Sequence, residues 1–326
     1  MSKVVPKKVL LVPPGPGLGD LVFSMPLVKS LQYAWPGVQV LIPSSDNLTR
    51  RELIVDLMGC YPVGSLCRAD ERLLGREHWS WVLSNRTRDL AKYRRCLDGR
   101  LRGVSVDLLM SSLPISFPSV RAKRRLSLRS IPSGEPFLRS LLNFSSLLGI
   151  SPRYEFAVPL HTGFSLPMLV SGDPVVVDKP YVTFHVGSSR QEKCWPAEYF
   201  RDLAVWLGKK GYGVVVAGRG VADARAADVV EQAGRHVVST LGSGSYVNLS
   251  NWVKLVRGAS VVVGNDSGPT HLAAAVGVAT IGLYGPTDNV LFAPPFSEDR
   301  TLRSRNHRMD RLYVSDVCDR LQPLLP

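Results

Sequence analysis

The residues of this chain best suited to bind a phosphate lie in a polar turn between two apolar stretches. Asp266, Ser267 and Gly268 follow a run of three valines, and an alanine-rich stretch begins soon after Pro269. Asp and Ser are preferred helix caps, and proline is tolerated in a first helical turn. The pattern predicts a strand, a tight turn and a helix whose first N–H groups converge, which favours bound phosphate. An ordinary strand-to-helix junction has the same turn, so the turn alone leaves both interpretations open.

His271 follows that turn by about one helical turn. A core helix would more simply carry Ala or Leu there. An imidazole at this place can donate a hydrogen bond to a phosphate oxygen and, when protonated, offset charge on a leaving group. The alternative is a buried structural histidine.

A second polar loop follows the apolar run 181–185 and leads toward Pro196. Ser188 and Ser189 offer hydroxyl donors, and Lys193 offers a mobile point charge suited to phosphate. A solvated loop with an incidental lysine is the alternative.

The third loop of interest lies near the N-terminus and is rich in glycine. Gly17, Gly19 and Asp20 follow the apolar run 9–12, without the third glycine of a dinucleotide fingerprint and without the Gly-Lys-Ser/Thr of a P-loop. The glycines allow close backbone approach to a ligand, and Asp20 would lie at the carboxyl edge of the sheet, where ligands collect in open α/β folds. Asp20 could equally cap the helix that follows.

Four stretches of the chain resemble the glycosyltransferase family that includes the ADP-heptose:lipopolysaccharide heptosyltransferases. They are Leu18-Gly19-Asp20 with Pro26, the loop from His185 to Pro196, the stretch Asp266 to Ala275, and Gly282 to Thr287. The resemblance covers nearly the whole chain and is weak between Thr49 and Pro174. The first loop departs from the family because residues 13–16 are richer in proline and glycine, which implies different acceptor surroundings.

The resemblance implies a role for each of these residues. Asp20 would be the general base that deprotonates the acceptor hydroxyl. The donor would be bound by Ser188, Ser189, Lys193, Asp223, Asp266, Ser267, Gly268 and His271. In that set Asp223 would meet the ribose of the nucleotide or, alternatively, only cap its helix. The acceptor would contact Gly17, Gly19, Arg121 and Arg124.

Apolar runs alternate with amphipathic segments along the chain, which predicts an α/β fold with parallel sheets covered by helices. In the second half the predicted strands are 181–185, 214–217, 236–239, 260–263 and 280–283, and the predicted helices are 196–209, 222–233, 248–257 and 269–276. The resemblance implies the GT-B arrangement of two doubly wound, Rossmann-like domains facing across a cleft. We expect an acceptor domain at 1–160, a linker at 161–174, a nucleotide-sugar domain at 175–305, and a C-terminal helix at 306–326 that packs back on the first domain.

The composition bounds the class of protein. With 326 residues, 45% hydrophobic and 21% charged, the chain predicts two globular domains with real cores. Its five cysteines are odd in number and form no C-x-x-C pair, which favours a reduced compartment over a disulfide framework or a zinc site. No signal peptide and no apolar run of about 18 residues is present in the sequence. We therefore expect a cytoplasmic protein, with peripheral contact at the inner face of the membrane left open.

The net charge of +13 is concentrated in one segment. Between Arg86 and Arg129 twelve Lys/Arg stand against three acids, a net charge of +9. Such a field attracts polyanions, including phosphorylated acceptors, anionic lipid headgroups and nucleic acid, although a solvated face that aids solubility has the same composition.

These observations predict an inverting glycosyltransferase that moves a sugar, a heptose by resemblance, from an ADP-sugar or similar donor to an acceptor hydroxyl. The absence of a D-x-D pair argues for a metal-independent reaction. No cofactor is expected beyond the nucleotide sugar as co-substrate, and no specific nucleic acid is expected as a partner. The acceptor is either lipopolysaccharide core, an anionic glycolipid, or a small natural product. Two rival functions are a sugar-nucleotide epimerase of the same fold and a non-catalytic polyanion-binding protein.

Overall fold

The computed structural model of the chain contains two compact units, Met1–Phe156 and Ala157–Pro326. The structure describes residues 5–13, 17–45, 58–59, 61–66, 95, 97–112, 117–127, 136–153, 180–218, 221–241, 249–294 and 297–326. The predicted linker at 161–174 lies outside these residues. So do five of the twelve basic residues of the segment 86–129, namely Arg86, Arg88, Lys92, Arg94 and Arg129.

The first unit contains a five-stranded parallel sheet. Its strands are β1 (Lys8–Val12), β2 (Gln39–Ser45), β3 (Tyr61–Leu66), β4 (Ser105–Ser111) and β5 (Arg121–Ser127). Their order is β3-β2-β1-β4-β5, so the direction of winding reverses between β1 and β4. This order is the doubly wound order of a Rossmann-like sheet, in which ligands bind at the reversal point.

Two helices of this unit pack together. They are α1 (Leu18–Ala34) and α2 (Phe137–Ser146). The ring of Phe23 meets Phe137 edge-on, with centroids 6.0 Å apart. Helix α1 continues through Pro26, and the hydroxyl of Ser30 donates to the Pro26 carbonyl. After α2 the chain turns at Gly149, where φ is +72°, a conformation that favours glycine.

The second unit contains a six-stranded parallel sheet. Its strands are β6 (Tyr181–His185), β7 (Gly213–Ala217), β8 (Val237–Ser239), β9 (Val261–Asn265), β10 (Thr280–Tyr284) and β11 (Thr301–Arg303). Their order is β11-β10-β9-β6-β7-β8, again doubly wound, and the reversal point lies between β6 and β9. Strands β7, β9 and β10 are buried along their whole length, as expected for a parallel sheet covered on both faces.

Helices of the second unit follow the strands in alternation. They are α3 (Ala197–Lys209), α4 (Val221–Glu231), α5 (Leu249–Gly258), α6 (Gly268–Ala275) and α7 (Val314–Leu321). Alternate residues of β6 serve the two faces of the sheet. Phe184 packs on Phe200 of α3, with ring centroids 5.4 Å apart, whereas His185 packs edge-on against Trp252 of α5.

The C-terminal helix α7 belongs to the core of the second unit. Val317 and Leu321 are fully buried in the same cluster as Phe200 and Leu207, and α7 packs on α3. The expectation that this helix also packs back on the first domain stays a prediction.

Each strand and helix predicted between residues 181 and 283 is found with ends within two residues of the predicted ones. The C-terminal helix is shorter than expected, since it covers Val314–Leu321 and not 306–326. Strands β3, β5 and β11 were not predicted. Four of the seven residues of β5 are Lys or Arg, a composition that local strand preference disfavours, and β5 is an edge strand. Among the described residues, no helix is both long and apolar enough to cross a membrane.

Candidate functional site

The candidate donor residues lie at the carboxyl edge of the second sheet. Ser188 and Lys193 follow β6, Asp223 follows β7, and Asp266 follows β9. Strands β6 and β9 are the neighbours between which the winding reverses. Because adjacent crossovers leave this point in opposite directions, a crevice opens there above the strand ends. The topology therefore brings residues from three separate loops to one place.

Asn265, the last residue of β9, fastens the loop that follows β6. Its side-chain oxygen accepts a hydrogen bond from the backbone N–H of Trp195 at 2.9 Å, and its amide donates to the carbonyl of Val186 at 2.7 Å. The indole N–H of Trp195 donates to the carbonyl of Leu312 at 2.8 Å. Both ends of the loop 186–195 are thus held against β9, which places Lys193 beside Asp266.

The carboxylate of Asp266 is the centre of a buried polar cluster. Lys193 Nζ lies 2.7 Å from Oδ2, and the hydroxyl of Thr287 donates to the same oxygen at 2.6 Å. His271 Nε2 lies 3.3 Å from Oδ1. Asp266 and Lys193 are each only 3% exposed. Three side chains, two from loops and one from helix α6, therefore fix one carboxylate in a defined orientation.

The charge state of Asp266 follows from these contacts. Burial by itself raises the pKa of this carboxyl, but the hydrogen bond from His271 and the charge of Lys193 outweigh it and hold the pKa well below its ordinary value. The carboxylate is therefore ionised at neutral pH. Burial and the negative charge of Asp266 together raise the pKa of the Tyr284 hydroxyl well above its ordinary value.

The mobility of the Lys193 side chain is not as predicted. The sequence suggested a mobile point charge in a loop, whereas the ammonium is buried and paired with Asp266. Burying an unpaired ammonium costs several kcal/mol, so a carboxylate partner keeps it in place. Lys193 is consequently a fixed positive charge at the reversal point.

The turn into α6 begins where the sequence predicts it, although the Ser267 side chain makes no capping hydrogen bond. Ser267 is the N-cap residue, Gly268 is the first helical residue, and Pro269 lies in the first turn. The hydroxyl of Thr270 donates to the carbonyl of Asn265 at 2.7 Å. Ser188 reaches this turn from the β6 loop and donates to the carbonyl of Asp266 at 3.2 Å. The N-terminus of α6 therefore faces the same loop that carries Ser188 and the exposed Ser189.

Asp223 occupies a niche made by two glycines. A Cβ added at Gly187 would come within 2.3 Å of its carboxylate, and one added at Gly218 would come within 2.7 Å. Only a residue without a side chain leaves room at these positions. The side chain of Asp223 consequently lies against the ends of both β6 and β7, at the same edge as Asp266.

His271 is buried, with 3% of its surface exposed, and its Nε2 lies against the Asp266 carboxylate. Its role toward a donor phosphate stays a prediction, and its burial equally suits the structural alternative. His185 is buried at the end of β6.

In the first unit, Asp20 lies in the first turn of α1, near the end of β1. Its carboxylate accepts a hydrogen bond from the N–H of Gly17 at 2.9 Å, which is a helix-capping contact. A Cβ at Gly17 would come within 2.5 Å of that oxygen. Asp20 is only partly buried. Gly19 is the second residue of the helix.

Arg121 and Arg124 are exposed on the edge strand β5. Because side chains alternate along a strand, these two lie on opposite faces of it. Arg125 is engaged with the protein itself, since its guanidinium donates to the carbonyls of Phe117 and Val120. Lys123 pairs with Asp107 at 2.7 Å.

Two residues of the buried cluster were not assigned by the sequence. Thr287 stood in the stretch that carries the family resemblance, and Asn265 directly precedes the predicted turn. Neither is a titratable residue, so a search for acids, bases and charges does not select them. Only their hydrogen bonds to Asp266 and to the β6 loop identify them.

Comparison with known proteins agrees with this architecture. The family model of glycosyltransferase family 9 (heptosyltransferase) matches residues 156–318. Lipopolysaccharide heptosyltransferase 1 of Pseudomonas aeruginosa is 31% identical over 128 residues, which cover 39% of this chain and about a third (34%) of that protein. Lipopolysaccharide heptosyltransferase 1 of Escherichia coli K12 is 28% identical over 326 residues, which cover 94% of this chain and 97% of that protein.

Among solved structures, E. coli heptosyltransferase WaaC with ADP superimposes with a TM-score of 0.72 at 17% identity. The superposition covers 97% of this chain and 99% of that chain. At this identity the likeness shows the fold alone. It confirms the predicted pair of Rossmann-like domains.

Proposed function

The chain belongs to glycosyltransferase family 9, the heptosyltransferase family, and from this membership we propose that it transfers a sugar from a nucleotide-sugar donor to an acceptor hydroxyl. The observation that supports this most is the buried cluster of Lys193, Asp266, Thr287 and His271 at the reversal point of the second sheet. Ligands of doubly wound sheets bind at the reversal point, and the N–H groups at the N-terminus of α6 beside this cluster suit a diphosphate. The E. coli structure named above holds ADP, which favours an ADP-sugar as donor.

In this proposal the donor diphosphate lies at the mouth of α6. The hydroxyl of Ser188, the N–H groups of the first turn of α6 and the fixed charge of Lys193 stabilise its negative charge. The carboxylate of Asp223, held beside Gly187, accepts hydrogen bonds from the ribose hydroxyls. Asp266 keeps the ammonium of Lys193 in position.

The reaction is a single in-line displacement that inverts the anomeric carbon. Asp20 takes the proton of the acceptor hydroxyl while the hydroxyl oxygen forms the new bond to the anomeric carbon. The bond from that carbon to the diphosphate oxygen breaks, and the nucleoside diphosphate leaves with the electron pair. The preorganised donors around Lys193 stabilise this leaving group, so a metal ion is not needed and transfer should persist in EDTA.

The acceptor is lipopolysaccharide core or a small natural product. An anionic acceptor would be attracted by the exposed guanidinium groups of Arg121 and Arg124. Arg121→Gln and Arg124→Gln are therefore compared one at a time. For a compact anionic acceptor, one of the two variants should raise the acceptor KM and flatten its salt dependence, because the two side chains lie on opposite faces of β5.

The decisive substitution for the mechanism is Asp20→Asn. Asn keeps an oxygen that can accept from the N–H of Gly17, so the cap on α1 is retained, but it cannot take a proton at neutral pH. We expect transfer to fall about 10²–10⁴-fold, with donor affinity unchanged and the melting temperature within a few degrees of wild type. The measurements are product formation by mass spectrometry and donor titration by calorimetry.

Asp98→Asn is the matched control. Asp98 also caps a turn, through the N–H and hydroxyl of Ser119 at 2.9 and 2.8 Å. This variant should leave transfer unchanged. If Asp20→Asn retains near-normal transfer, Asp20 is only a cap, and the base must be sought elsewhere.

A further inference from the structure

A cavity of about 520 Å³ lies in the second unit, between β11 and helix α7. It is lined by residues 302–305 at the end of β11, by residues 311–313, and by Asp316, Asp319 and Arg320 of α7. None of these lining residues belongs to the cluster around Asp266. The cavity is therefore distinct from that cluster, and it lies beside β11, the edge strand of the second sheet.

The lining is strongly cationic. Four arginines, at positions 303, 305, 311 and 320, face two carboxylates. One of the carboxylates, Asp316, already accepts a hydrogen bond from the N–H of Tyr313 at 3.2 Å, where it caps α7. The cavity thus keeps an excess of positive charge within a concave surface, where a field of one sign concentrates anions.

Two of the four arginines make hydrogen bonds or ion pairs with other residues of the chain. Arg303 contacts His307 at 3.0 Å and Asp288 at 3.5 Å, and Arg320 donates to the carbonyl of Asp299. The side chains of Arg305 and Arg311 are exposed and take part in no hydrogen bond or ion pair with any described residue. Their donors are available to a ligand.

Buried donors at the same place also lack partners. Among the described residues, none pairs with the Nε of Arg303 or the hydroxyl of Ser304, and both atoms are shielded from solvent. Buried polar atoms in proteins are rarely left without a hydrogen-bond partner. An anion with its bound water would supply acceptors next to Arg303.

We propose that this cavity is a second anion-binding site, distinct from the donor site, that takes a phosphate group carried by a small molecule or by a lipid headgroup. Guanidinium groups match phosphate oxygens with paired N–H donors, and Arg305 and Arg311 provide two such forks. The volume is sufficient for a sugar phosphate. The tyrosine ring of Tyr313, which is 52% exposed, offers a surface for the uncharged part of the ligand.

The test is arginine-selective modification with phenylglyoxal, read residue by residue by peptide mass spectrometry. Glucose 1-phosphate is the soluble probe, and vesicles containing phosphatidic acid are the lipid probe. We expect one of them to lower the modification of Arg305 and Arg311 at least threefold at constant ionic strength. Residue-level readout separates this site from the donor site, since binding at Lys193 does not protect these two arginines.

Arg308 is the matched control. It is an exposed arginine of the same segment, it pairs with Asp310 at 2.7 Å, and it does not line the cavity. Its modification should not change. In direct titration with the protecting probe, Arg305→Gln and Arg311→Gln should each weaken binding about tenfold, whereas Arg308→Gln should not.

Protection by the soluble probe assigns the site to a free phosphate ester, and protection by the vesicles alone assigns it to a lipid headgroup. Protection of Arg308 to the same extent as Arg305 would mean that the probes act only by screening charge, and the proposal would be overturned. It would also be overturned if neither probe protects Arg305 and Arg311.

Discussion

The ion pair between Lys193 and Asp266 gives a prediction that separates the stability of the second unit from its function. Both groups are 3% exposed and 2.7 Å apart. Removing one partner of a buried pair leaves an uncompensated charge, which typically costs about 3–5 kcal/mol. For Lys193→Met we expect the lower end of that range, since Thr287 and His271 still donate to the carboxylate. In a unit of this size, about 3 kcal/mol corresponds to roughly 6–12 °C in melting temperature.

The double variant Lys193→Met with Asp266→Asn should be more stable than either single variant. It removes both charges, fills the volume of the lysine stem, and leaves an amide oxygen that can accept from Thr287. The coupling free energy between the two substitutions should therefore be about 2 kcal/mol or more. Donor affinity should fall in all three variants. The double variant recovers stability, but it does not recover the fixed positive charge of Lys193.

The measurement is calorimetric and denaturant unfolding of the four proteins in a double-mutant cycle, with donor titration beside it. An exposed pair serves as the control: Arg201 and Asp202, 2.8 Å apart, should show a coupling of at most about 1 kcal/mol. The cycle also has a pH readout. Since the pKa of Asp266 is depressed, the stabilisation from the pair is present above about pH 4 and is lost as the pH falls below that. Additive single effects, or a Lys193→Met variant as stable as wild type, would refute the reasoning.

Three further predictions concern residues around the cluster. Burial lowers the pKa of His185 from 6.5 to about 4. Between these pH values the imidazole is protonated in the unfolded chain but not in the folded chain. Stability should therefore fall by about 3 kcal/mol as the pH drops from 6.5 to 4, and His185→Gln should remove that part of the pH dependence in denaturant titrations. Gly187→Ala should displace the Asp223 carboxylate and raise the donor KM, whereas Gly99→Ala, whose Cβ meets nothing within 4 Å, should not; equal KM values would mean that Asp223 does not bind the donor. Thr287→Val keeps the side-chain volume but removes a hydrogen bond to a buried carboxylate, which should cost about 1.5–3 kcal/mol in unfolding free energy, and an unchanged stability would show that the bond is not made.

The sequence by itself determined most of the secondary structure of the second unit, β11 and the length of the C-terminal helix excepted, and the loops that carry its site. Runs of valine, such as 261–263, suit buried parallel strands, and glycine and proline mark where each run ends. The candidate donor residues lie in the segments that follow such runs. In a parallel sheet all strand ends of one polarity meet at one edge, so the rule for ligand sites in these folds predicts the right edge from local patterns alone.

Local patterns failed where a strand depends on its neighbours. Strand β5 is rich in arginine and resembles a solvated basic segment, yet it pairs with β4 from Ser105↔Arg121 to Ser111↔Ser127. An edge strand needs only one pairing partner, and charged side chains there prevent association with other chains. The packing partner of helix α7 was also beyond the sequence, because an amphipathic pattern shows which face of a helix is buried but not which element covers that face.

Only the tertiary structure decided which site residues touch. Lys193 and Asp266 are 73 residues apart, and they meet because the strand order places β6 beside β9 and because Asn265 holds the β6 loop down. The sequence showed a lysine with a phosphate-binding composition around it, but not that its charge is already balanced by a buried carboxylate. Such pairing is set by the order in which strands pack, and that order is a property of the whole core rather than of any single segment.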